Sequence, residues 1–197
     1  MDHLLQVLRV KGRATPEALE AAVGADPGPP LADFTAQGLV EDTRLGYRLT
    51  ELGSHRVDEL YARERERAGR VIDDVYESFA PMNDEVKQIV TDWQMRPGGG
   101  EPQINDHSDP RHDERVLARL RRTDAKVSAA LAPLTVALPR FEVYPRRLQR
   151  AVTLVTDGDH SMLAAPLKDS YHTVWFELHE ELIILAGRNR SEEEAAS

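Results

Sequence analysis

The most informative segment for the fold is residues 15–50, which read TPEALEAAVGADPGPPLADFTAQGLVEDTRLGYRLT. Thr15 and Pro16 are typical of a helix start, because a threonine side chain caps free N–H groups and proline fits the first helical position. Apolar residues then follow at helical spacing as far as Gly24, and a second apolar segment ends at Gly38. The last part alternates apolar and polar residues around a short turn, which predicts a β-hairpin.

A further helix is predicted upstream of this stretch, on the apolar residues Leu4, Leu5, Val7 and Leu8. The predicted order is therefore three helices and a hairpin, which is the order of a winged helix-turn-helix domain. Residues 38–41 (GLVE) and 44–50 (RLGYRLT) resemble the winged-helix domains of MarR-like bacterial regulators. The resemblance implies DNA binding, for which the candidate residues are Arg13, Arg44 and Arg48.

The charge of this segment argues against strong DNA binding. In a helix-turn-helix the third helix enters the major groove, but here it would begin within residues 26–30 and offer only Asp33 and Gln37 as polar contacts. No Lys or Arg occurs in residues 14–43, and residues 1–57 contain six basic and eight acidic side chains. Because phosphate neutralisation supplies most nucleic-acid affinity, we expect DNA to be a weak partner unless a dimer collects further charge.

The composition is that of an ordinary globular protein. The chain has 197 residues, of which 41% are hydrophobic and 30% charged, and its formal net charge of −9 disfavours broad binding to nucleic acid or anionic membranes. Cysteine is absent, which excludes disulfides, thiolate nucleophiles and zinc–thiolate sites. No segment has the pattern of a membrane span or signal peptide, so we expect a cytoplasmic protein without a membrane partner.

The rest of the chain is predicted to be helical, giving a mainly α fold with a winged-helix domain over residues 1–56 and an all-α bundle after it. Connecting helices are expected over residues 57–95, with a break near Ala80 and Pro81 and a second helix over residues 83–95. A ligand-sensing or docking domain follows over residues 96–190, with a loop at 96–110 and helices at about 111–138, from Pro145 and from Ser170. Residues 191–197 are expected to form a disordered acidic tail.

Six polar residues are candidates for a ligand or metal site: Asp106, His107, His160, Asp169, His172 and His179. Asp169 and His172 are three residues apart on a predicted helix, so they could ligate one metal, and with His179 they are expected to line a polar cavity beside Asp106 and His107. Imidazole and carboxylate ligands favour zinc, iron, manganese or nickel. No spacing matches a specific metal motif, so the favoured interpretation is that these histidines form hydrogen bonds across a partly buried interface.

A stripe of cations is also predicted on one helix face: Arg111, Arg115, Arg119, Arg122 and Lys126. It could dock phosphate groups or an acidic partner, although a solvated face neutralised by neighbouring acidic residues is the favoured alternative. No nucleophile motif surrounds Ser161, and the glycines at 98–100 lack the residues of a phosphate-binding loop. We therefore predict no catalytic residue and no enzyme.

The second part of the chain carries another resemblance. Residues 91–94 (TDWQ), 105–109 (NDHSD) and 169–180 (DSYHTVWFELHE) are similar to a region of actinobacterial winged-helix proteins that is also appended to pyruvate phosphate dikinase-like, phosphoenolpyruvate-utilising enzymes. The catalytic domains of that enzyme are absent, so the resemblance implies a regulatory or docking module. Two hypotheses follow: a homodimeric transcriptional regulator with a small-molecule sensing domain, and an accessory module that binds a partner enzyme through a winged helix that does not bind DNA.

Overall fold

The computed structural model describes residues 2–96 and 102–188. These residues are mainly helical, as the sequence predicted, and they form two small two-stranded hairpins, of which only the first was predicted. The acidic tail and the glycines at 98–100 lie outside these residues. The N-terminal part contains α1 (His3–Lys11), α2 (Pro16–Val23) and α3 (Gly28–Ala36), followed by the strands β1 (Val40–Thr43) and β2 (Gly46–Leu49). The start of α2 is confirmed, because the Thr15 hydroxyl accepts a hydrogen bond from the Ala18 N–H at 3.3 Å.

The hairpin is antiparallel, and it is fixed at both ends by close backbone contacts. Val40 pairs with Leu49, and Tyr47 exchanges two backbone hydrogen bonds with Ala14, of 2.8 and 3.0 Å. Gly46 has φ 107, and a Cβ there would lie 2.5 Å from the Ala14 carbonyl oxygen. At the base of the hairpin, a Cβ on Gly53 would lie 1.9 Å from the Leu39 carbonyl oxygen. A side chain at either glycine would block the close approach of the two backbones, so both positions require glycine.

A long helix, α4 (Glu51–Gln94), follows the hairpin and differs from the prediction. The expected break near Ala80 and Pro81 is absent: Pro81 lies inside the helix, and the backbone departs from helical geometry at Ala68, with φ −135 and ψ 16. Interior proline removes one helical hydrogen bond and costs about 3 kcal/mol. The apolar stripe continues into the core on both sides of Pro81, at Phe79 and Val86, and this burial offsets the cost.

The remaining elements build the second part of the molecule. They are β3 (Met95–Arg96), β4 (Gln103–Ile104), α5 (Pro110–Ala137), a 3₁₀ helix (Pro139–Glu142), α6 (Val143–Thr156), α7 (Ser161–Ala164) and α8 (Tyr171–Leu185). The pairing of β3 with β4 replaces part of the predicted loop at 96–110, and α7 was not expected. Within the described part of the chain, no helix is long and apolar enough to cross a membrane.

One hydrophobic core connects the two parts. Leu5 of α1 and Leu19 of α2 are fully buried, and they belong to the same core as Tyr61 of α4 and Tyr171 of α8. Helix α1 packs against both α4 and α8. The N-terminal helices are therefore seated directly on the helical part.

Candidate functional site

Three rings meet where α4 ends and α7 begins. The ring centroids of Trp93 and His107 are 4.6 Å apart, those of Trp93 and His160 are 5.2 Å apart, and the two histidines are 4.7 Å apart. Trp93 is buried, His107 is half-buried and His160 is exposed at the start of α7. Two histidines far apart in sequence are thus brought together at the protein surface.

A buried carboxylate and a buried amide complete this group. The Asp113 Oδ2 atom lies 3.0 Å from His107 Nδ1, and the Asn105 side chain donates a 2.9 Å hydrogen bond to Asp113 Oδ1. Asn105 also donates to the Trp93 carbonyl oxygen at 3.0 Å. We call these five residues the histidine cluster: Trp93, Asn105, His107, Asp113 and His160.

The backbone at His107 is in a sparsely populated conformation. Its φ of 58 is the only positive value among the non-glycine residues that the structure describes. The His107 N–H donates to the Asn105 side-chain oxygen at 3.1 Å, which holds the turn in place. Such conformations cost free energy and cluster at functional sites. Here the conformation directs the imidazole toward Asp113 and His160.

The cluster has the donor set of a metal site. One nitrogen or oxygen atom from each of His107, Asp113 and His160 lies within 4.8 Å of the other two. Within residues 2–96 and 102–188 this is the only group of three or more such side chains with that spacing. Two imidazoles and one carboxylate suit zinc or another divalent first-row metal.

The other candidates lie elsewhere or make other contacts. Asp106 is exposed, and its carboxylate lies 3.3 Å from the Arg96 guanidinium. Ser108 donates hydrogen bonds to this carboxylate, and they hold its pKa below the ordinary value. On α8, His172 is exposed, and His179 is buried with its ring 5.8 Å from that of Phe79. The structure therefore brings together only two of the six predicted ligands, His107 and His160.

The last candidate, Asp169, belongs to a second polar group between α1, α4, α6 and α8. Seven charged side chains form two neighbouring sets of ion pairs, which we together call the ion network: Glu64, Arg140 and Glu181 in one set, and Lys11, Arg147, Asp169 and Glu177 in the other. Arg140 bonds to both Glu64 oxygens at 2.7 Å and also to Glu181. Arg147 bonds to both Asp169 and Glu177, and Lys11 of α1 bonds to Glu177. Asp169 is thus occupied by a guanidinium.

Two tyrosines complete the ion network from within the core. The hydroxyls of Tyr61 and Tyr144 both donate to the Glu181 carboxylate. Burial, with the negative charge of Glu181, raises the pKa of each hydroxyl well above its ordinary value. Burial opposes the charge of Arg140, but Glu181 and Glu64 outweigh it and raise the pKa of that guanidinium. Both tyrosine hydroxyls are therefore neutral at physiological pH, and the Arg140 guanidinium is charged.

The predicted cation stripe lies along α5, and part of it is paired. Arg119 forms an ion pair with Asp92, and Lys126 lies 3.6 Å from Glu85. Arg111, Arg115 and Arg122 are exposed. Two of the five cations are thus paired with acidic residues of α4, and the other three are exposed to solvent.

Of the DNA candidates, Arg44 is exposed in the turn of the hairpin and Arg13 is exposed next to Ala14, which pairs with β2. Arg48 is paired with Glu41 on the neighbouring strand. The exposed face of α3 is made of small or acidic residues, including Ala32 and Asp33. Of the three DNA candidates, only Arg13 and Arg44 therefore offer an exposed positive charge outside an ion pair of the described residues.

Sequence reasoning missed Asp113 and the ion pairs of Arg140 and Arg147, and it noted Asn105 only as part of the polar stretch at residues 105–109. Asp113 appears in the sequence as an acidic residue in the first turn of a helix, a position explained by helix capping alone. Arg140 and Arg147 carry no motif, and their pairing with α8 is visible only in the fold.

Comparisons of the chain with protein-family models, with curated proteins and with solved structures found no match. The resemblances to MarR-like regulators and to the dikinase-linked region therefore remain predictions.

Proposed function

We propose that this protein is a non-enzymatic regulator, in which a winged-helix-type N-terminal part contacts DNA and the helical part senses a ligand. The observation that carries the proposal is the direct polar connection between the two parts. Lys11 of α1 bonds to Glu177 of α8, and Gln6 of α1 donates to Glu64 at 3.0 Å. A change in the packing of α6 or α8 would therefore move α1 and the elements attached to it.

Two exposed cations, Arg44 in the hairpin turn and Arg13 close to β2, supply the DNA contact in this proposal. Two phosphate contacts give a slope of log affinity against log salt of about −2 for one subunit, and about −4 for a homodimer. The affinity expected from so few contacts is in the range of about 1–100 μM, typical of non-specific binding. DNA recognition by the unliganded chain is therefore weak.

Fluorescence anisotropy with labelled genomic fragments, at several salt concentrations, tests this proposal. Arg44→Ala should weaken binding and reduce the salt slope by about one per subunit. Arg63→Ala is the matched control, because Arg63 is an exposed arginine on α4, paired with Glu59. Binding that is absent at low salt, or that is unaffected by Arg44→Ala, would contradict DNA contact through the hairpin.

A second candidate function is docking on a partner enzyme, and the exposed face of α3 favours it. This face carries no cation, so it offers nothing to neutralise DNA phosphates, whereas contact with another protein needs no such charge. Ala32→Arg distinguishes the two functions. It should strengthen DNA binding, because it adds a cation to the helix that would face the groove, whereas it should weaken binding to a purified pyruvate phosphate dikinase-like enzyme.

A further inference from the structure

We propose that the histidine cluster binds one divalent first-row transition metal ion through His107, Asp113 and His160. In a tetrahedral zinc site the metal–ligand distances are about 2.0–2.2 Å, which places ligand atoms about 3.4 Å apart. His107 Nδ1 and Asp113 Oδ2 are already 3.0 Å apart, and the ligand atoms of all three residues lie within 4.8 Å. Small side-chain rotations therefore suffice to form the coordination geometry.

The buried residues around the ligands hold two of them in place. Asn105 donates to Asp113 Oδ1 at 2.9 Å, which leaves Oδ2 directed toward the histidines. The same amide fixes the left-handed turn at His107 through its oxygen. Metal ligands in proteins are commonly oriented by such outer hydrogen bonds, whose loss typically lowers metal affinity 10–100-fold.

The chemistry of the donors selects the class of metal. Imidazole nitrogen favours zinc and its first-row neighbours over magnesium and calcium, which prefer oxygen ligands. Three protein ligands leave a further coordination position, and His160 lies at the surface, where water or a small anion can reach the metal. The site is therefore of the exchangeable kind that a sensor requires.

Calorimetric titration of the full-length protein with Zn²⁺, and the absorption spectrum of the Co²⁺ form, test metal binding. One ion per chain should bind the wild type, and His160→Ala should weaken binding at least tenfold without unfolding the protein, since His160 is exposed. Asp113→Asn should also weaken it. His172→Ala is the matched control, because it removes another exposed histidine and should leave affinity unchanged.

Two results would overturn the proposal: no binding of Zn²⁺ or Co²⁺ by the wild type, or equal affinity in wild type and His160→Ala. Either would leave the cluster as a purely structural group of tilted ring contacts and hydrogen bonds.

The idea that this metal is the sensed ligand rests on the proposed function. DNA anisotropy measured with and without Zn²⁺ separates the two claims. A change in DNA affinity that is present in the wild type and absent in His160→Ala supports both. Metal binding without any DNA binding would contradict the regulator and leave the metal site standing.

Discussion

The ion network and the histidine cluster are both groups of polar side chains held by several helices, but they differ in how completely their charges are matched. In the ion network, each of the three basic residues contacts at least one carboxylate, and Glu181 also accepts hydrogen bonds from Tyr61 and Tyr144. In the histidine cluster, a single carboxylate faces two imidazoles, one of which is exposed.

This difference fits the proposal that the histidine cluster binds a metal, whereas the ion network holds helices together. Each cation of the ion network is already paired, and the cavity that Arg140, Arg147 and Glu177 line has a volume of about 10 Å³, room for no more than about one water molecule. Breaking these pairs leaves charges unpaired in a buried environment at a high cost. The histidine cluster is partly exposed and leaves ring nitrogens available, so it can exchange water for a ligand at little cost in stability. Substitutions in the ion network should therefore lower mainly the stability, whereas substitution of the exposed histidine in the histidine cluster should lower mainly metal affinity.

Arg140→Ala is expected to have the largest effect. It leaves Glu64 and Glu181 without their guanidinium between α4 and α8, and we expect the free energy of unfolding to fall by about 3–5 kcal/mol in urea denaturation. Arg119→Ala, which breaks the more exposed pair with Asp92, should cost less than about 1 kcal/mol. Adding Glu181→Gln to Arg140→Ala should restore part of the loss, and equal effects of the two arginine substitutions would contradict the distinction.

Asn105→Ala should have the next largest effect, because it removes hydrogen bonds to Asp113 and to the Trp93 carbonyl. We expect a loss of about 1–3 kcal/mol of stability, the usual result of leaving buried polar groups unsatisfied. Gln103→Ala, an exposed amide on β4, is the control and should change stability little. If Asn105→Ala left the free energy of unfolding unchanged, the hydrogen bonds of Asn105 would not stabilise the histidine cluster.

The secondary structure follows mainly from local signals in the sequence, which is why much of it was predictable. The Thr15 cap and the hairpin depend on residues within a few positions of one another. The expected break at Pro81 is absent because long-range packing of the α4 stripe outweighs the local effect of proline. The strands β3 and β4 have two residues each, too few to show the alternation of apolar and polar residues from which a strand is predicted.

The candidate site was predictable only in part, for the same physical reason. His107 and His160 stand out as residues of metal-binding type, but 53 positions separate them and Asp113 joins them only through the fold. Spacing on one helix suggested that Asp169 and His172 could share a metal. In the structure Asp169 bonds to Arg147 on α6, a contact that no local pattern encodes.

Asp124 offers a third comparison, since it is a buried carboxylate that takes part in none of the ion pairs of the described residues. Burial raises its pKa to about 6. The unfolded state therefore ionises first, and the folded protein loses stability as the pH rises from about 4 to about 6. We expect Asp124→Asn to stabilise the protein by about 2 kcal/mol at pH 8 and to have little effect at pH 4.

Urea denaturation of wild type and Asp124→Asn at both pH values measures this difference. Glu114→Gln is the control, because Glu114 is exposed on the same helix and pairs only at the surface with Arg121. A destabilising effect of Asp124→Asn at pH 8 would show that the charge of this carboxylate is compensated after all.

His160→Ala should have the smallest effect on the metal-free protein, and this is what makes it the sharpest test of the comparison. The side chain is exposed, so the free energy of unfolding without metal should change by no more than about 0.5 kcal/mol. With Zn²⁺ at a hundred times its dissociation constant, the wild type should gain about 2.7 kcal/mol, because the metal binds the folded state. Thermal unfolding with and without Zn²⁺ should show this gain in wild type and in His172→Ala, and its loss in His160→Ala. A gain of equal size in all three proteins would place the bound metal elsewhere and remove the functional distinction between the histidine cluster and the ion network.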